Sequence, residues 1–215
     1  GGEGADSRTA GQGAHVILGD DGTIDRDTSS GDIVLSATSA HTAEDGGDTV
    51  MLGDGGHVAI LGGGADSLTA GDGGSLVLGD SGAVSRDPGS NTATTSDPGT
   101  GGGDAIVMGT GDDVVLAGDG ADSVTGGEGA NLVAGDGALY SRDLAADVLD
   151  FETRDPGTGA GDTIETGAGG DRILGGDGAD LVTAGAGNNA VLGDGGVMQL
   201  DPGTLALRSL ATSAS

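Results

Sequence analysis

The chain has 215 residues, of which 50 are glycine, two are aromatic and none is cysteine. Its 35 acidic residues, against seven arginines and no lysine, give a net charge of −28, which argues against binding to nucleic acid or anionic membranes and favours cations as partners. Without cysteine there are no disulfides or thiolate metal sites, and no apolar run approaches the roughly 18 residues of a membrane span. The few large apolar side chains cannot offset the entropy lost in ordering so glycine-rich a chain, so we expect a further source of stability.

A related run of residues recurs four times along the chain. It reads GADSRT from Gly4, GADSLT from Gly64, GADSVT from Gly120 and GADLVT from Gly178. The first copy lacks the lead-in of the others, so we expect the chain to be a segment of something longer. We divide this single repeat region into four units, a truncated 1–46 followed by 47–102, 103–160 and 161–215. Disorder and salt adaptation are other interpretations of the composition, but disorder would not keep the aliphatic residues in strict register.

Each unit contains glycine-rich blocks of nine residues. Met108–Gly137 reads MGTGDDVVL AGDGADSVT GGEGANLVA GDG, with glycine at the second and fourth places, Asp or Asn at the sixth and valine at the eighth. The short aliphatic runs between glycine turns predict strands, and glycine interrupts every candidate helix, so the fold class is all-β.

Irregular stretches of about 20 residues separate the runs of blocks. Alternating segments and DPG turns predict that they are hairpins or loops projecting from a regular body. These insertions are Thr23–Gly46, Ala83–Gly102, Ala138–Ala160 and Val197–Ser215.

The sixth-place residues predict two opposite edges if two blocks make one coil, because residues 18 apart then stack. The edge that we call the first edge carries Asp6, Asp48, Asp66, Asp104, Asp122, Asp162 and Asp180. The second edge carries His15, His57, Ser75, Asp113, Asn131, Asp171 and Asn189. Two stacked carboxylates about 4 Å apart repel by about 4 kcal/mol at an effective dielectric of 20. Calcium would turn this repulsion into attraction, since it accepts carboxylate and backbone carbonyl oxygens in flexible geometry, whereas magnesium requires a tighter octahedron.

The blocks Ala117–Thr125 and Gly175–Thr183, AGDGADSVT and GGDGADLVT, resemble the calcium-binding nonapeptide G-G-x-G-x-D-x-U-x of the hemolysin-type, or RTX, family, where U is a large aliphatic residue. The resemblance covers roughly half of the chain and recurs in register. It implies a parallel β-roll or β-helix solenoid with hairpin or loop insertions, several Ca²⁺ ions in the turns, and the sixth-place aspartates as ligands. It also implies secretion in an unfolded state and folding outside the cell.

Several positions depart from this pattern. His, Ser or Asn replaces Asp at five places of the second edge, so sites there are expected to be weak or empty. Arg8 and Ala59 stand at aliphatic places, which predicts coil ends or irregular packing. Further acids are either additional ligands or solvated turn residues: Asp20, Asp54, Asp80, Asp136 and Asp194 in GD pairs, and Asp72, Asp119 and Asp177 at third places.

No catalytic constellation is present, and no enzyme activity is expected. The sequence lacks a GxSxG elbow, an HExxH pair and a Walker loop, and its GxG pairs do not precede helices. His15 and His57 are expected at exposed turns and His41 in an insertion, without the converging ligands of a zinc site.

Two functions remain in view, with a third less favoured. The first is a calcium-binding structural or adhesive module of an extracellular surface layer, matrix or filament, which self-associates or contacts other surface or matrix proteins, because open coil ends favour end-to-end stacking. The second is the calcium-dependent folding and export region of a secreted toxin or hydrolase. Ice binding would need a flat threonine row, but Thr69, Thr125 and Thr183 recur only once per unit.

Overall fold

A computed structural model describes residues 1–27, 33–40, 42 and 45–213; His41 and part of the first insertion lie outside the described residues. All of the regular structure in these ranges is β. No helix in the part described is long and apolar enough to cross a membrane. The strands are β1 Ser7–Ala10, β2 Val16–Leu18, β3 Gly22–Asp27, β4 Ile33–Ser39, β5 Thr49–Leu52, β6 Val58–Ile60, β7 Ser67–Thr69, β8 Leu76–Leu78, β9 Gly82–Asp87, β10 Ser90–Thr95, β11 Ala105–Val107, β12 Val114–Leu116, β13 Ser123–Thr125, β14 Leu132–Ala134, β15 Ala138–Asp143, β16 Val148–Thr153, β17 Thr163–Glu165, β18 Arg172–Leu174, β19 Leu181–Thr183, β20 Ala190–Leu192, β21 Gly196–Leu200 and β22 Leu207–Thr212.

The strands form three sheets. The outer sheet is parallel, with strand order β1-β5-β7-β11-β13-β17-β19. The central sheet is also parallel, with order β2-β6-β8-β12-β14-β18-β20. The hairpin sheet is antiparallel, with order β22-β21-β16-β15-β10-β9-β4-β3. The chain runs alternately through the two parallel sheets, which is compatible with a solenoid of the β-helix or β-roll kind.

Residue patterns explain why the central sheet lies in the middle. Outer strands such as SLT in β7 and SVT in β13 bury only their central residue deeply. Central strands such as VAI in β6 and LVL in β8 are buried at all three positions. A strand with one solvated face alternates, whereas a strand covered on both faces is apolar throughout.

Two apolar cores separate the three sheets. One lies between the outer and central sheets and includes Val50, Val77, Val124 and Ile173. The other lies between the central and hairpin sheets and includes Leu78, Tyr140, Phe151 and Met198. The insertions are therefore hairpins, as one of the two alternatives predicted, but the expectation that they project from the body is wrong. Their apolar faces cover the central sheet, whose outward side chains would otherwise be exposed to water.

The register of the parallel sheets confirms that residues 18 apart stack. Val58 pairs with Leu76, and Val114 pairs with Leu132. The same columns continue across the insertions, since Leu76 also pairs with Val114. Stacking is therefore uninterrupted through every described coil, and the hairpins leave the columns intact.

The two departures at aliphatic places have different outcomes. Arg8 lies on β1, the first strand of the outer sheet, as expected for a coil end. Ala59 is fully buried in β6, in regular register between Ile17 and Val77, so the expectation of an end or irregular packing there is wrong. A small side chain in this column leaves the backbone pairing unchanged.

Candidate metal-binding edges

The seven aspartates of the first edge form one continuous ladder. The backbone N–H of each of the first six donates to Oδ1 of the aspartate in the next coil, as in Asp48 to Asp66 at 2.6 Å and Asp104 to Asp122 at 2.7 Å. The same bond crosses an insertion from Asp66 to Asp104 at 2.8 Å. The whole series is made of Asp6, Asp48, Asp66, Asp104, Asp122, Asp162 and Asp180. The five inner members are at most 3% exposed.

The second carboxylate oxygen of these inner aspartates is unpaired. Within the described residues, Oδ2 has no hydrogen-bond partner in Asp48, Asp66, Asp104, Asp122 and Asp162. A buried charged oxygen without a partner costs several kcal/mol, so such an atom in a native fold needs a proton, a water molecule or a cation.

The pKa values of the first-edge aspartates also indicate that their charge is not compensated within the protein. Burial raises the pKa of Asp104 to about 10 and that of Asp122 to about 9, and neighbouring carboxylates add to the increase. Burial also raises the pKa of Asp66 and of Asp162 to about 7. Without a positive charge nearby, this row would hold protons near neutral pH.

Three acids of the GD pairs lie beside this ladder. Asp20, Asp80 and Asp136 are buried, and burial raises their pKa values to about 6, 8 and 8. The interpretation as solvated turn residues is therefore wrong for these three. Asp54 and Asp194 are exposed, as that interpretation predicts.

Two third-place acids hold the loops that follow the hairpins. Asp80 accepts the N–H of Asp119, and the carboxylate of Asp119 accepts the N–H of Gly99 in a DPG turn. The relay recurs from Asp136 to Asp177 and from Asp177 to Gly157. Its sequence signal is a DPG glycine 20 residues before the third-place acid. Asp72 is exposed and accepts the N–H of Thr110.

The second edge forms the same kind of ladder with different side chains. Its N–H groups donate to acceptor atoms of His57, Ser75, Asp113, Asn131, Asp171 and Asn189 in turn. Of the described second-edge carboxylates, only Asp113 has a buried oxygen without a partner. Asp171 Oδ2 accepts the hydroxyl of Thr166 at 2.8 Å. The amide of Asn131 donates to the carbonyl oxygens of Gly127 and Gly129.

His57 is fully buried, so the expectation of an exposed turn is wrong for this residue. Its ring stacks on that of half-buried His15, with centroids 5.4 Å apart and planes 8° from parallel. Nδ1 of His57 accepts the N–H of His15, which leaves Nε2 to donate to Gly53 O at 3.0 Å. Both ring nitrogens are engaged, and the ring acts as a rung of the ladder.

Arg172 lies beside the second edge, although the repeat pattern did not single it out. Its buried guanidinium donates to the carbonyl oxygens of Gly170, Asp171, Asn188 and Leu205, and burial lowers its pKa. It is a fixed cation among turn carbonyls of the second edge. One feature of the sequence could have identified it: the triplet RIL of β18 begins with a charged residue, whereas other central strands carry only apolar residues.

The donor set at the first edge fits calcium when backbone oxygens are included. Among the residues that the structure describes, no three His, Asp or Glu side chains converge on one point. A Cβ added to Gly79 would lie closer than 3.0 Å to both Ala117 O and Asp104 Oδ2, and the same holds at Gly135 for Gly175 O and Asp162 Oδ2. At these two positions glycine therefore lets a carbonyl oxygen and an unpaired carboxylate oxygen approach the backbone, and so each other, more closely than any side chain would allow. Oxygen-only, flexible coordination of this kind suits Ca²⁺.

Comparisons of the chain with protein-family models, with curated proteins and with solved structures give no match. The resemblance to the RTX nonapeptide therefore stays a prediction from the residues. The chemical argument rests on the first-edge oxygens and the turn carbonyls beside them.

Proposed function

We propose that this chain is a calcium-binding repeat region of an extracellular structural or adhesive protein, and that it folds as a parallel β-roll when it binds Ca²⁺. The observation that carries the proposal is the row of five buried Oδ2 atoms without partners on the first edge. Calcium would supply the positive charge that this row lacks.

The first-edge aspartates are the proposed main ligands. Asp48, Asp66, Asp104, Asp122 and Asp162 each offer a free oxygen, while Oδ1 holds the neighbouring coil. Asp20 also has a buried unpaired oxygen and extends the same acidic region. On the second edge, Asp113 is the favoured ligand, because Asp171, Asn131 and Asn189 use their side chains in hydrogen bonds within the protein.

Coupling of metal binding to folding follows from the overall charge. At −28 the compact state repels itself, and the unfolded chain separates the charges that the ladder brings together. An ion that binds the folded chain contributes its binding free energy to folding. Export of an unfolded chain and folding in a calcium-rich extracellular space are consistent with this coupling.

Circular dichroism of the full chain in EDTA and during a calcium titration tests the proposal. We expect a largely disordered chain in EDTA at pH 8 and a β-rich chain at millimolar Ca²⁺. Magnesium at the same concentration serves as the control and should leave the spectrum close to that in EDTA. A chain that is equally β-rich in EDTA at pH 8 would rule out calcium-coupled folding.

A further inference from the structure

Two arginines of the hairpin sheet lie on the face that covers the central sheet. Arg86 of β9 follows buried Val84 by two residues, and Arg142 of β15 follows Tyr140 by two, so each shares the inward face of its strand. Both arginines pair with Asn91 of β10, so the three polar residues form one row across the sheet. The inward face of the hairpin sheet is therefore cationic in this row and apolar in the row beside it.

Two adjoining cavities, each of about 220 Å³, lie between this polar row and the central sheet. They form one groove beside the second edge, because they share the lining residues Asp112, Val114, Tyr140 and Arg142. Apolar side chains from both sheets complete much of the wall: Leu76, Leu132, Leu149 and Leu205. The central strands that line the groove are β8, β12 and β14, and each has a paired strand on both sides.

The two arginines have no acidic partner, although the chain contains 35 acidic residues. Among the described residues, no carboxylate oxygen lies within 4.0 Å of either guanidinium. Nε of Arg142 is buried and has no hydrogen-bond partner in the part of the chain that the structure describes. Burial also lowers the pKa of Arg86. A half-buried cation beside a cavity needs an acceptor, which water or a bound anion supplies.

The opposite wall of the groove offers hydrogen-bond acceptors. Asp112 is exposed, and its Oδ1 accepts the N–H of Ala130 at 2.8 Å, which leaves its second oxygen for a ligand. Asp113 beside it has the buried, unpaired Oδ2 described above. A ligand that satisfies both walls therefore combines an anionic group for the arginines with hydrogen-bond donors for the aspartates. Its body must also cover the apolar side chains between them.

We propose that this groove binds a sugar acid, that is, a carboxylate on a hydroxylated ring. The carboxylate binds the guanidinium of Arg142, whose planar fork matches it, and Arg86 and Asn91 are further donors. Ring hydroxyls donate to Asp112 at the mouth of the groove. The C–H groups of the ring lie against the apolar wall, beside Tyr140.

Other small ligands fit the groove less well. An apolar carboxylate leaves the aspartates without donors, and an inorganic anion leaves the apolar wall uncovered. An amino acid places its ammonium group beside Asp113, which we propose as a calcium ligand. A hydroxyl suits Asp113 with or without calcium, because its oxygen can coordinate Ca²⁺ and its hydrogen can bond to a free carboxylate. The preference for hydroxyl over ammonium thus rests on the proposed function, whereas the position of the carboxylate does not.

Tyrosine fluorescence tests the site directly, because Tyr140 is the only tyrosine and the chain has no tryptophan. In millimolar Ca²⁺ at pH 7, we expect D-glucuronate to change the emission saturably. D-Glucose, inorganic sulfate and L-alanine should bind at least about tenfold more weakly, a difference of about 1.4 kcal/mol. Absence of saturation by D-glucuronate would overturn the site. Equal binding of glucose would overturn the role of the arginines, and equal binding of sulfate or alanine would overturn the sugar-acid class.

The methyl glycoside of glucuronate distinguishes the source of the sugar acid. Its anomeric oxygen is blocked, as in a unit of a polysaccharide chain. Binding as tight as that of free glucuronate would support a chain-linked sugar acid as the ligand. Binding at least about tenfold weaker would support a free sugar acid.

The Nε–H signals of the arginines give a second measurement on the unmodified chain. In a proton–nitrogen correlation spectrum, we expect glucuronate to shift the signals of Arg142 and Arg86. The signal of Arg154 should stay unchanged, because this residue is exposed and pairs with Glu152 outside the groove. A shift of Arg154 without a shift of Arg142 would overturn the position of the carboxylate.

Arg142→Gln and the matched control Arg154→Gln test the guanidinium itself. We expect at least about tenfold weaker glucuronate binding in the first variant and unchanged binding in the second. Arg142→Lys keeps the charge without the planar fork and should also bind more weakly than the wild type. Unchanged binding in Arg142→Gln would overturn the proposal. If this variant does not fold, the arginine signals of the wild type provide the decision.

Circular dichroism on the same samples separates this proposal from the calcium proposal. A chain that folds only with calcium but does not bind glucuronate refutes the sugar-acid site alone. A chain that is β-rich in EDTA and binds glucuronate refutes calcium-coupled folding alone.

Discussion

The two edges of the parallel sheets carry the same hydrogen-bond ladder but differ in the side-chain atoms that the ladder leaves without a partner. On the second edge, a histidine nitrogen, a hydroxyl, amide oxygens and carboxylates all accept the N–H of the preceding coil. One acceptor atom per coil is therefore enough to build the ladder. On the first edge every acceptor is a carboxylate, and five of them hold a second, buried oxygen that bonds to nothing among the described residues. Stacking alone does not need that second oxygen, and this difference is the reason why we propose cation binding at the first edge.

The largest expected effect is an inverted pH dependence in chelator. The folded-state pKa values of Asp104 and Asp122, about 10 and 9, lie above the unfolded value of 3.8, so the folded chain binds more protons. The stability from these groups is fully present below pH 3.8 and is lost as pH rises towards 10, by about 1.4 kcal/mol per pH unit for each carboxyl.

Urea unfolding at pH 5, 6 and 7 measures this dependence over the range in which protons hold the chain folded without calcium. In EDTA we expect the midpoint to fall as pH rises, and in saturating calcium to rise or stay level, because the ion replaces the protons. A midpoint in EDTA that rises with pH would contradict the burial of uncompensated carboxyls on the first edge.

A smaller effect is expected from removing one charge on each edge. Asp104→Asn keeps an Oδ1 acceptor for the N–H of Asp66 and removes the unpaired oxygen. We expect at least about tenfold weaker calcium binding, about 1.4 kcal/mol, together with a higher urea midpoint in EDTA at pH 7. Asp171→Asn is the matched control, because Thr166 already binds its second oxygen. Isothermal titration calorimetry compares the two variants, and equal losses would remove the distinction between the edges.

The smallest effect is expected from making the second edge resemble the first. Asn131→Asp places three successive aspartates at positions 113, 131 and 171 and removes an amide that donates to two turn carbonyls. We expect one additional calcium ion per chain and a slightly lower urea midpoint in EDTA at pH 7 from the added buried acid. Asn189→Asp in the less buried last coil is the control and should change both quantities less. No increase in stoichiometry would contradict the view that residue 131 limits calcium binding at this edge.

The repeat pattern predicted much of this molecule. Glycine turns around aliphatic triplets predicted an all-β chain, and the nine-residue period predicted which residues stack 18 apart. The sequence also contains two kinds of triplet, such as SVT in the outer sheet and LVL in the central sheet. The repeat pattern alone did not show that the first kind has one face in solvent and that the second is covered on both faces. The alternation of Leu149 and Phe151 likewise indicated an apolar hairpin face, although not the sheet that it covers.

What the sequence determined by itself is local: where the chain turns, where it extends, and which side chains share a face, because turn chemistry and side-chain alternation act over a few residues. Tertiary structure decided that the ladders run through the insertions, that Asp80 and Asp136 are buried, and that Arg172 lies among turn carbonyls. It also decided which oxygens lack a partner, since burial and pairing depend on strands brought together from 18 to 43 residues away. The sequence thus identifies the first edge as a row of aspartates. Only the folded chain shows that these aspartates have buried, unpaired oxygens.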